Sequence, residues 1–207
     1  MTLRILGRLS SVNVQKVAWC ADELGLPYER VDVGGAFGGN DKPEYLAKNP
    51  NGLVPVIEDD GFVLYESNAI VRYLAAKHAR ATLWPDDLQK RADIDRWMEW
   101  QSTGYTPAML PAFWQLCRTP PEKRDAAAVE ASRAKGEKFA GVLDAHLAAR
   151  AFVAGEAFSP ADICIGCAAH RWLGLPMERV PRPNIERWYA ALKSRPGARQ
   201  VLSQPVS

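Results

Sequence analysis

The stretch NGLVPVIEDDGFVLYESNAI (residues 51–70) reads as two short strands followed by a helix start, with a proline between two valines at the head of the first strand. Proline removes a ladder donor, and in sheets it is confined to edges, first residues and bulges. Pro55 therefore marks a point where the chain leaves an edge open to something other than a strand. The "DDG" between "VPVIE" and "FVLYE" is a hairpin signal that makes those two strands antiparallel neighbours. Glu66 and Ser67 fall where the second strand gives way to a helix.

Working upstream, "LRILG", a helix over residues 14–24, "YERVDV" and a short helix over residues 43–48 complete a β-α-β-α-β-β-α order, with the last helix over residues 67–77. The opening βαβ unit must be parallel with a right-handed crossover, so a four-stranded mixed sheet with three helices is expected. Downstream, periodicity lapses, and "WPDD" supplies a turn. The expected division is an α/β domain at 1–78, a linker at 79–88 and an all-helical domain at 89–207. In the helical part, "DLQKRADIDRWMEWQST" spaces Ile94, Trp97, Met98 and Trp100 along one helix, continued past a glycine to Tyr105 and bent or ended by Pro107 and Pro111. Further helices are expected at 121–150, 160–173 and 184–194.

Composition narrows the function classes. A chain of 207 residues that is 47% hydrophobic can bury a full core without disulfides. With 26 basic and 24 acidic residues and no basic stripe, a nucleic-acid surface is not expected. No apolar run approaches the roughly 20 residues that cross a bilayer, so no membrane span is expected. The opening "MTLRILGRLSSV" shares its composition with organellar targeting peptides, but "LRIL" alternates into a strand that the next segment needs. Cys20, Cys117, Cys164 and Cys167 sit in apolar surroundings, which predicts thiols in a reducing, cytoplasmic compartment.

The α/β domain followed by helices, with "NGLVPV" and "YESNAI" at this spacing, resembles the cytosolic glutathione transferase family, in its bacterial theta- and phi-like branch with an active-site serine. The likeness covers essentially the whole chain, and it implies a thioredoxin-like N-terminal domain with glutathione as co-substrate. In such a fold Pro55 is cis and turns the main chain of Val54 outward to pair with the tripeptide by strand addition. Glu66 and Ser67 take the γ-glutamyl end, where free amides and the positive end of a helix favour a carboxylate and Glu66 faces the ammonium group. Lys42 matches a basic position used for the glycine carboxylate. Leu53 departs from the glutamine that plant-like members often carry there.

In the loop "GRLSSVNVQKV" (residues 7–17) the resemblance gives Ser11 the contact to the glutathione sulfur and Asn13 a second donor. No histidine or carboxylate stands near in sequence to make Ser11 a nucleophile, so its role is donation to a thiolate. Ordinary helix capping would also account for Ser10, Ser11 and Asn13. An acceptor pocket is expected between the domains, lined by Leu9, Ser10, Phe37, Tyr105, Met109 and Trp114 and suited to a hydrophobic electrophile. Helix packing competes for the aromatic members.

The segment "SPADICIGCAAHRWLG" (residues 159–174) suggests zinc or redox chemistry through Cys164, Cys167 and His170. Three ligands on one helix fall short of a closed tetrahedral site, and Ser159, Pro160 and Asp162 read as a capped, buried helix. No metal is expected. The implied activity is conjugation of the glutathione thiolate to electrophiles in detoxification, by a homodimer joined through the first domain and residues 94–101 of its partner. A glutathione-dependent isomerase, dehalogenase or ether-cleaving enzyme is the enzymatic alternative, and a non-catalytic module that binds protein partners is the other.

Overall fold

A computed structural model describes residues 3–206. The chain forms two compact units: the first runs through Asp86 and takes back Arg195–Gln204, and the second is Asp87–Ser194 with the residues after Gln204.

The first unit opens with β1 (Leu3–Leu6), helix α1 (Val12–Glu23) and β2 (Tyr28–Val31), and β1 and β2 pair in parallel. A short α2 (Pro43–Leu46) leads to β3 (Val56–Asp59) and β4 (Phe62–Tyr65), and α3 (Ser67–His78) completes the βαβαββα order. The sheet order is β2-β1-β3-β4, with β3 antiparallel to both neighbours and Ile5 opposite Ile57. Asp60 and Gly61 both take positive φ (51° and 86°), the two-residue turn that a twisted hairpin favours. Ile5, Val14, Val17, Trp19, Ile57, Ile70 and Leu74 are wholly buried and make the core between sheet and helices.

The second unit is helical: α4 (Leu88–Trp100), α5 (Thr106–Phe113), α6 (Ala126–Leu147), α7 (Pro160–Gly174) and α8 (Pro183–Lys193). Neither Pro107 nor Pro111 ends the path after α4. It passes through a π turn at Gln101–Tyr105, then α5, then a second π turn at Trp114–Arg118. Gly104 permits this, since a Cβ there would lie 2.5 Å from the Phe139 ring. The Ser132 hydroxyl enters the ladder of α5, donating to Ala108 O (2.7 Å) and accepting from Ala112 N (3.1 Å). Those are the partners an unbroken i to i−4 bond would join.

Two expectations change. The single helix over 121–150 divides into a 3₁₀ turn at Pro121–Lys123 and α6, because Asp125 accepts from Ala127 N and Ala128 N and so starts a new helix. The all-helical region also does not own the end of the chain. A 3₁₀ turn at Pro196–Ala198 and α9 (Arg199–Leu202) pack on α1, where Arg195 donates to Glu23 and Tyr28 Oη to Gln200 Oε1 (3.0 Å). Gly197 lies so close to this helix that a Cβ would stand 2.8 Å from the Glu23 main chain. Within the stretch 79–88, Leu83 and Trp84 are buried.

Candidate active site

Three segments of the first unit meet at one end of its sheet. The first is the loop from β1 into α1. Gly7 (φ 153°) allows it to close, since a Cβ would lie 2.5 Å from Val14 Cγ2 and 3.2 Å from Val54 Cβ. Leu9, Ser10 and Ser11 follow, each half-buried. Ser11 is the N-cap of α1 with extended backbone (φ −86°, ψ 123°), and its carbonyl accepts from Gln15 N (2.9 Å). Its hydroxyl makes no capping hydrogen bond among the described residues. Asn13, in the first turn, is exposed.

The second segment precedes β3. The Val54–Pro55 peptide is cis. Val54 lies outside every ladder, while the carbonyls before it are gripped from behind: Asn40 Nδ2 donates to Gly52 O (2.8 Å), and Tyr45 Oη and Asn49 Nδ2 both donate to Leu53 O (2.7 and 2.8 Å). Burial pushes the Tyr45 hydroxyl up to about 12, so it remains a donor. The sequence reading missed Asn40, Tyr45 and Asn49. The pair "NPNG" at 49–52, polar residues before a proline strand, was the available signal. Leu53 is 64% exposed, and its contribution here is its carbonyl.

The third segment is the start of α3. Glu66 is the N-cap with φ 70°, a left-handed conformation that a residue with a side chain adopts at a cost of about 1–3 kcal/mol. Ser67 is buried and is the first residue of the helix; its hydroxyl does not cap but donates to Asn13 Oδ1 (3.3 Å). Behind both stands Lys16, which the sequence reading also missed: it is 2% exposed and donates to Asn68 Oδ1 (3.1 Å) and Ser67 Oγ (3.4 Å). Two helix N-termini, where helix geometry leaves the first main-chain donors without intrahelical partners and the dipole end is positive, thus converge beside the irregular chain before β3, an arrangement suited to an anionic peptide-like ligand.

Both N- and C-terminal halves of one family match this chain. The family model described as the glutathione S-transferase N-terminal domain covers residues 6–82, and the one described as its C-terminal domain covers residues 105–196. The chain belongs to the glutathione S-transferase family. Among glutathione S-transferases, the Escherichia coli K12 protein GstB is 42% identical over 99% of this chain and all of its own length. Glutathione S-transferase 3 of Zea mays is 34% identical over 97% of this chain and 93% of its own. A solved theta-class glutathione S-transferase from Xanthomonas axonopodis pv. citri, with glutathione bound, is 41% identical, covers 99% of both chains and superposes with a TM-score of 0.96.

The remaining expected residues belong to other stretches of the first unit or to the second unit. Lys42, the N-cap of α2, is exposed, as is Phe37 (60%) on the 3₁₀ turn Gly35–Phe37. Tyr105 and Met109 are corrected from lining residues to core: both are 0% exposed within the helical unit, where Tyr105 packs against Trp100, Phe139 and Trp172. Trp114 is 54% exposed on that unit. On α7, Asp162 accepts from Ser159 N, Ser159 Oγ, Val153 N and Trp188 Nε1 at 2.8–2.9 Å and so ties the start of its helix to two other segments. Among the described residues no group of three or more His, Cys, Asp or Glu could hold a metal, and no helix is long and apolar enough to cross a membrane.

Proposed function

We propose that this glutathione S-transferase conjugates the glutathione thiolate to hydrophobic electrophiles, with Ser11 as the principal hydrogen-bond donor to sulfur and Asn13 as a second. The observation that carries the reading is the Ser11 hydroxyl, which stands at the positive end of α1 without a capping bond. A donor and a helix dipole at that point favour thiolate over thiol and draw a pKa of about 8.5 toward neutrality. In the same reading Val54 pairs with the tripeptide main chain beside Pro55, the start of α3 at Ser67 holds the γ-glutamyl carboxylate with Glu66 facing the ammonium group, and Lys42 holds the glycine carboxylate. Leu9, Ser10 and Phe37 are the first unit's contribution to the electrophile. The chemistry calls for no metal. The protein works as a cytoplasmic homodimer in detoxification; support for the dimer is Phe62, which stands 48% exposed on β4, the edge strand of the sheet, an apolar contact that a second copy would cover.

The test is a pH–rate profile of wild type, Ser11→Ala, Ser10→Ala and Asn13→Ala with an aryl halide as electrophile. Ser11→Ala is expected to depress turnover at neutral pH and to recover part of it as pH rises. A profile that moves only in Ser10→Ala or only in Asn13→Ala transfers the principal role to that residue, and no movement in any of the three overturns the mechanism.

A further inference from the structure

Lysine is among the residues least often fully buried, and Lys16 is 2% exposed on a helix whose inner face is otherwise apolar apart from Gln15. It lies three residues after Asn13, on the same face of α1. Its ammonium group is anchored on Asn68 Oδ1 at 3.1 Å and reaches Ser67 Oγ at 3.4 Å, while Ser67 Oγ donates to Asn13 Oδ1 at 3.3 Å. Charged lysine donates and cannot accept. The ammonium charge orients the hydroxyl dipole of Ser67 with its oxygen toward Lys16 and its proton away, and that proton is given to Asn13 Oδ1. An amide with its oxygen held inward turns its NH₂ outward. The contacts of 3.3 and 3.4 Å are long for hydrogen bonds, so what they carry is direction more than strength.

We propose that Lys16 is a positioning residue that fixes the orientation of the Asn13 amide through Ser67 and so decides which end of that amide faces the sulfur of glutathione. The inference rests on the proposed function and refines it. The one proton of Ser67 cannot serve both Asn13 and the γ-glutamyl carboxylate, so the carboxylate is left to the main-chain amides at the start of α3. Without Lys16, Ser67 Oγ can accept from Asn13 Nδ2, the amide turns over, and its oxygen faces the thiolate. A donor that stabilised negative charge becomes a dipole that opposes it.

The experiment compares Lys16→Met, Lys16→Arg and Ser67→Ala with wild type at saturating glutathione. Lys16→Met and Ser67→Ala are expected to move the thiol limb of the pH–rate profile upward together, by about one pKa unit, or about tenfold in turnover at neutral pH. Lys16→Arg, which also only donates, is expected to restore it. The other charged side chains at the two helix starts, Arg8 before α1 and Glu66 before α3, are unchanged in every variant and cannot produce a shared shift. A Lys16→Met protein that melts earlier but keeps the wild-type profile overturns the proposal. So does a Ser67→Ala protein whose Michaelis constant for glutathione rises while its profile stays in place, and this arm stands even if Lys16→Met fails to fold. A second readout needs no glutathione. The side-chain amide resonance of Asn13, assigned by its loss in Asn13→Ala, should shift in Lys16→Met and Ser67→Ala and return in Lys16→Arg. Failure of that signal to move counts against the relay alone, whereas a wild type without turnover or glutathione binding counts against the proposed function.

Discussion

The helices of the two units begin in opposite ways. In the second unit a carboxylate closes the first turn of α4 (Asp87 to Gln89 N and Lys90 N), α6 (Asp125 to Ala127 N and Ala128 N) and α8 (Asp144 to Asn184 N and Ile185 N). In α7 Asp162 binds back to Ser159. In the first unit α1 and α3 begin at Ser11 and Glu66 with no side-chain cap among the described residues. A closed start adds stability to the fold. An open start gives up that stability and keeps its main-chain donors and hydroxyls for another molecule. The same residue type therefore means different things at two places: Ser159 is 4% exposed and bonded to its own helix, while Ser11 is half-buried and bonded to nothing of its own helix through its side chain.

The hardest test of this contrast is Asp162→Ala. It strands Val153 N, Ser159 N and Trp188 Nε1 in the core of the helical unit, at about 1–3 kcal/mol for each unsatisfied donor, so a loss of at least about 3 kcal/mol is expected in urea denaturation. The wild type should also carry a pH signature. Burial pushes the Asp162 carboxyl from 3.8 up to about 6 against the pull of its hydrogen bonds, so the folded state holds a proton that the unfolded state has released. Its contribution to stability is full below 3.8 and is lost as pH rises through about 6, and the variant should lack that slope. A variant as stable as wild type would mean that this closed helix start adds nothing to the stability of the fold.

A smaller effect is expected from Asp125→Ala, which removes the acceptor for Ala127 N and Ala128 N at an exposed site: about 0.5–2 kcal/mol by thermal melting, with no change in the pH–rate profile. The smallest belongs to Ser11→Ala. With no capping bond to lose, its melting should differ from wild type by less than about 0.5 kcal/mol, a surface-sized effect, although it sits at the same helix position as the residues above. A stability loss in Ser11→Ala equal to that in Asp125→Ala would erase the distinction between open and closed starts.

The parts of this architecture that could be read from sequence are those whose cause is local. The "DDG" turn fixes the β3–β4 pairing, the run from Tyr65 to Ile70 changes period from strand to helix, and Ser159 with Asp162 announces α7. The opaque parts depend on which distant residue a side chain reaches. Lys16 looks like one more charge on an amphipathic helix until α3, 51 residues away, is seen to cover it. Tyr105, Met109 and Trp114 share one helical path, but only the fold separates the two that enter the core from the one that remains exposed. Ser132 looks like a neutral helix residue, and its role in α5 is invisible without the neighbouring helix.

The return of Arg195–Gln204 to α1 has a consequence for how the protein is made. The first unit holds all three segments of the candidate active site, yet its last ten residues are translated only after all five helices of the other unit. Domains fold as they emerge, N-terminal first, but here the first to emerge is the last to be completed. Until the chain carrying Gly197 and Arg195 arrives, the flank of α1 around Glu23, at the far end of that helix from Ser11, is left uncovered.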